Sequence, residues 1–163
     1  MELNEIFGLP AHPLLVHAAV VLLPIAALGL VLIALRPAWR RPYGPLVVVF
    51  ALTALVSVGL AQGSGEQLEE RVEETRLVEE HTDEGESVIP WAFAVFALSA
   101  ATVAIEPLSK RVPAARSKAA ASALVALSVL AAVGAIFFVI EVGHSGAKAA
   151  WDDLPAASAD HDD

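Results

Sequence analysis

The chain has 163 residues, 56% of them hydrophobic, with a net charge of −9 and no cysteine. Without cysteine there are no disulfides, thiolate zinc sites, iron–sulfur ligands or covalent c-type haem attachment within this chain, and histidine is left as the main donor for a borderline metal. The acidic balance, with no basic patch carrying interleaved aromatics, excludes nucleic acid as a partner.

In chain order, the leader MELNEIF carries Glu2 and Glu5 and no basic residue. The apolar run behind it is therefore read as a retained span with its N-terminus outside, not as a secretory leader. Pro13 suits a first helical turn, and His12 stands before it as a candidate cap. The run 14–35 has no charge. A helix needs about 20 apolar residues to cross roughly 30 Å of hydrocarbon. Arg36, Arg40 and Arg41 follow, then a second apolar run over 45–61. The segment 63–87 contains GEQLEERVEETRLVEEHTDEG, rich in helix formers and predicted to stop at Gly85. Leu77, Val78 and His81 group on one face at helical spacing. Helix two is expected to project outward and its second part to bend back, laying that face against the mouth of the bundle. The third run is 88–105; Lys110, Arg111, Arg116 and Lys118 lead into the fourth, 119–140. Glu141 and His144 come next, and 152–163 reads as a disordered acidic tail in which His161 has no role.

Backbone polar groups in hydrocarbon must bond within their own segment. The prediction is therefore an all-α, integral membrane four-helix bundle in one domain, 1–151, with a short outer acidic helix between spans two and three. Seven of the ten Lys and Arg lie in the two loops that join spans one to two and three to four. The positive-inside rule makes those loops cytoplasmic and both termini extracytoplasmic. Trp39 and Tyr43 then mark the inner interface, Trp91 and Trp151 the outer one. The expected location is the cytoplasmic (inner) membrane of a bacterium or archaeon, with the lipid bilayer as principal partner.

This topology gathers His12, His17, His81 and His144 at the outer rim, where imidazoles from different helices could hold a metal or a haem. His12 and His17 lie about 7.5 Å apart along a helix and roughly 140° apart in rotation, so they cannot ligate one small metal: they could serve two sites, or one could ligate while the other bonds a peripheral group. Glu141, one turn before His144, would accept the imidazole's second N–H and fix its tautomer. Gly143 and Gly146, and Gly59 and Gly63, would let a flat macrocycle or another helix approach; Gly29 and Gly134 would allow a homodimer.

The run GLPAHPLLVHAAVVLLP, the single histidine before span three, and EVGHSGAKAAW after span four resemble a bacterial four-helix membrane family, domain of unknown function 2231. The resemblance covers Phe7 to Trp151; its specific parts are His-Pro-x-x-x-His and Gly-His-x-Gly-Ala. Ala18 and Ala19 depart from the Phe-Pro that often follows the second histidine. Some relatives are fused to Rieske iron–sulfur or cytochrome domains, which implies a redox setting with a separate redox protein or a quinone as partner.

Together these readings give the expectation of a haem b electron-transfer protein, an electron carrier rather than a catalyst of bond chemistry. His17 with His144 is the first choice of axial pair, and His12 with His81 the second, holding a second haem or binding haem propionates. Other classes stay open: a copper- or zinc-binding protein, a structural or assembly subunit, and a proton-coupled transporter using Glu141 and His144.

Overall fold

Four long helices run up and down through the molecule, and a fifth, short one lies across one end. The computed structural model describes residues 5–6, 9–109 and 117–152. His161 and the basic residues Lys110, Arg111 and Arg116 lie outside the described residues, as does the tail expected over 152–163 apart from Asp152. A two-residue antiparallel pair, β1 (Glu5–Ile6) with β2 (Leu9–Pro10), leads into α1 (Ala11–Leu35). Then come α2 (Pro37–Glu69), α3 (Arg76–Glu86), α4 (Val88–Ser109) and α5 (Lys118–Trp151). The long helices α1, α2, α4 and α5 are apolar enough to cross a membrane.

Helices α2 and α5 reach well past their apolar runs. At 1.5 Å per residue their 33 and 34 residues make about 50 Å, against roughly 30 Å of hydrocarbon. As the sequence reading expected of helix two, α2 projects past its apolar run and continues through Gly63 to Glu69, because its backbone bonds need not stop where the apolar run stops. The chain breaks over Glu70–Thr75, where Thr75 in extended conformation accepts the Val78 N–H and caps α3. Helix α1 likewise begins three residues before its apolar run, so His12 sits inside the first turn and not ahead of it.

The helices pack in the cyclic order α1, α2, α4, α5, with α1 and α4 meeting across the short diagonal. Their inner stripes are small: Ala51, Ala54 and Val58 on α2 and Val88, Ala92 and Val95 on α4, spaced by threes and fours, with Ala131, Ala132 and Ala135 on α5. Alanine at such positions lets helix backbones approach closely where no water-driven force separates lipid from protein. Ser99, Thr102 and Ser128, all fully buried, return their hydroxyls to the carbonyls of Val95, Leu98 and Leu124 on their own helices, each at 2.7 Å. Large residues such as Leu28, Val49, Val133 and Ile140 stay exposed on the outside, as lipid-facing surfaces require.

Two glycines expected to serve a second copy are used inside the bundle. Gly29 packs on Val47, and Gly134 lies flat beneath the Trp91 ring, which also stacks on Phe138 with centroids 5.7 Å apart. At the end where α1 turns into α2, Arg40 donates to the Ile33 and Ala34 carbonyls, both at 3.0 Å, and closes the last turn of α1. The Arg36 guanidinium stands 5.1 Å over Trp39. This is the arginine end; the opposite one is the histidine end.

Candidate cofactor site at the histidine end

The amphipathic face of α3 is what closes the histidine end. Leu77, Val78, His81 and Thr82 are half-buried while Arg76, Glu79, Glu80 and Asp83 are exposed. The buried face lies mainly on α5, as the Leu77/Val78/His81 grouping predicted. His81 Nδ1 is 3.2 Å from Ser145 Oγ, whose own hydrogen goes to the Val142 carbonyl at 3.2 Å.

His12 makes the corresponding arrangement across the mouth. From the first turn of α1 its ring folds onto α2, where Nδ1 donates to the Ala61 carbonyl at 3.0 Å and lies 3.3 Å from Ser64 Oγ. Ser64 in turn donates to the same Ala61 carbonyl at 2.9 Å. Each ring rests against a glycine. A Cβ on Gly65 would meet His12 Cε1 at 3.0 Å, and one on Gly146 would meet His81 Cε1 at 2.8 Å.

These two imidazoles are near enough to feel each other's charge. His81 is held below the usual histidine range, first by burial and then by His12; Glu84 and the Val142 carbonyl pull the other way. Helix α3 lies outside the charge-free stretch that begins at Val88, so this is an effect of the mouth and not of hydrocarbon. Two buried oxygens here, Gln67 Oε1 on α2 and Glu84 Oε2 on α3, have no hydrogen-bond partner among the described residues.

His17 and His144, the first-choice pair, are placed differently. Both are exposed. His17 Nδ1 turns back to the Pro13 carbonyl of its own helix. Glu141 is exposed as well, and no hydrogen bond joins it to His144 among the described residues. The reason is rotational. His144 adjoins Ser145, so with Ser145 buried against α3 the histidine points about 100° away. Among the described residues no group of three or more His, Cys, Asp or Glu is arranged to hold a metal ion.

The glycines also divide differently from expectation. Gly59, Gly63 and Gly143 have open space where a Cβ would stand, whereas Gly65 and Gly146 carry the close approaches. Sequence reasoning missed Ser64, Gly65 and Ser145. The signal for them is a Ser-Gly step following a glycine by one or two residues, present near the ends of both α2 and α5 as GSG and GHSG.

Residues 8–155 match the family described as "Predicted membrane protein (DUF2231)". No curated protein and no solved structure matches the chain.

Proposed function

We propose, from the premise that this chain belongs to the DUF2231 family of predicted membrane proteins, that it binds haem b between His12 and His81 and carries electrons at the membrane surface. One observation supports the reading above the others. Of the four histidines, only His12 and His81 are half-buried, held by Nδ1 against a neighbouring helix and within reach of each other's charge. A ring anchored through Nδ1 presents Nε2 as its free donor, the usual arrangement of a metal-bound histidine. Two imidazoles complete a six-coordinate iron whose other four donors belong to the porphyrin. Structural zinc sites take four protein donors and catalytic ones three, so the two-imidazole set suits haem better. When bound, haem supplies one-electron chemistry. The chain's part would be to hold the group through the imidazoles of His12 and His81, with α3 laid over the mouth.

In this reading the histidine end is extracytoplasmic, because Arg36, Arg40, Arg41 and Lys118 gather at the other end. The membrane is the cytoplasmic (inner) membrane of a bacterium or archaeon. The electron partner is a separate redox protein or a quinone.

Reduced-minus-oxidised spectra of protein purified from haem-replete cells test the proposal. Soret and alpha bands are expected in the parent and in H17A and H144A, and are expected to be lost in H12A and in H81A. Absence of bands in the parent, with stoichiometric copper or zinc by elemental analysis, would replace haem by a metal ion. Loss in H17A or H144A with retention in H12A and H81A would return the site to the exposed pair.

A further inference from the structure

The two histidine mounts are one device used twice, once in each half of the chain. On α2 the device is the Ala61 carbonyl, Ser64 and Gly65; on α5 it is the Val142 carbonyl, Ser145 and Gly146. In both, a serine donates to the carbonyl three residues behind it, and the glycine that follows makes room for a ring from another helix. We infer that Ser64 and Ser145, each with its glycine, are positioning residues that hold His12 and His81 in the Nδ1–H tautomer, so that both Nε2 lone pairs serve one Lewis-acidic metal centre at the mouth. The inference rests on the reading that these two histidines share a ligand, but not on the ligand's being haem.

The assignment follows from counting hydrogens. A carbonyl can only accept, so the His12 Nδ1 facing Ala61 must carry a proton. A serine hydroxyl has a single hydrogen, and that of Ser145 is committed to Val142. Its oxygen therefore accepts from His81 Nδ1. Neutral imidazole has one N–H, which leaves Nε2 bare on both rings. The glycines add ring position: at 2.8 Å from His81 Cε1, any Cβ on Gly146 displaces the ring, while Gly65 at 3.0 Å is on the margin.

The mounts differ in one respect, and the difference makes the inference testable. His12 Nδ1 is 3.0 Å from a peptide carbonyl and has Ser64 Oγ, at 3.3 Å, as a second neighbour; His81 Nδ1 has Ser145 Oγ at 3.2 Å as its main partner, with the Val142 carbonyl the least of the groups acting on the ring. Removing Ser145 should therefore release its ring, whereas removing Ser64 should not.

Long-range proton–nitrogen NMR spectra of nitrogen-15-labelled full-length protein in nanodiscs, at a pH where both rings are neutral, read each tautomer without any cofactor. Both rings are expected as Nδ1–H in the parent. In S145A the Nε2–H share of His81 should rise roughly tenfold, the factor that one ordinary hydrogen bond supplies. S64A should leave His12 unchanged, and S145T should restore the parent spectrum. An Nε2–H ring at either position in the parent, or equal responses in S64A and S145A, would overturn the inference. The parent spectrum decides the tautomers even if a variant fails to fold. Haem titration of the same samples separates the two ideas: parent tautomers as expected without haem uptake sink the haem reading alone, and haem uptake with an Nε2–H ring sinks the mounts alone.

Discussion

The middle of the bundle and its histidine end are built from the same small residues put to opposite uses. In the middle, Ser99, Thr102 and Ser128 turn their hydroxyls onto their own helices and reach no other element. Gly134 there gives its space to Trp91, an apolar ring. At the histidine end, Ser64 and Ser145 also bond their own helices, but each keeps an oxygen lone pair for an imidazole from elsewhere. Gly65 and Gly146 receive those imidazoles. Residue type therefore does not separate the two settings in this protein. What separates them is whether the neighbour across the helix interface is apolar or a nitrogen donor.

The largest contrast is between two glycines. Gly134→Val would drive a side chain into Trp91 at the centre of α5 and should destabilise the whole bundle by about 3 kcal/mol, the upper part of the range for overpacking. Gly146→Val should cost the bundle under about 1 kcal/mol, since His81 and α3 can move outward at the edge. Thermal unfolding in detergent measures both, and equal losses would erase the distinction.

His81→Ala comes next, with an expected local loss of about 1–2 kcal/mol as Ser145 loses its partner. The loss should be confined to α3, appearing as faster hydrogen exchange over 76–86 with α1, α2 and α5 unchanged. Thr75→Ala, which removes the α3 cap, should cost about 1 kcal/mol and raise exchange over the same residues about fivefold.

A graded form of the same loosening follows from pH. His81 is held below its ordinary value of 6.5, so the unfolded chain binds protons more readily than the docked helix does. The contribution of His81 to α3 docking is present above about 6.5 and is lost progressively as pH falls through the lowered folded value. Exchange over 76–86 should thus accelerate on acidification, and H81A should flatten that dependence. The smallest effects belong to His17→Ala and His144→Ala: both sites are exposed, and stability changes within about 0.5 kcal/mol are expected.

Much of the fold was legible beforehand. Uncharged runs of about 20 residues specify spans through length alone, and α3 was legible because its face alternates sharply between Leu77, Val78, His81 and the acidic residues around them. The mounts were not. His17 stands as deep in α1 as a ligand should, and His144 has a carboxylate one turn away, yet both face outward. Ser64 and Ser145 differ in sequence from the packing serines of α4 and α5 only by the glycines beside them, and glycine is routine packing in a membrane helix. The break at 70–75 was equally hidden, because helix formers continue across it and only Thr75 signals a restart.

The sequence by itself determined the number of spans, their apolar lengths, the gathering of four histidines at one end and the amphipathic helix laid across it, because each depends on composition along the chain. Only the tertiary structure decided which histidines turn inward. Span helices are apolar on all sides, so their patterning carries no rotational information. Their rotation is set by how small residues on adjacent helices fit together, and that fit brings His12 and His81 over their glycines and leaves His17 and His144 outside.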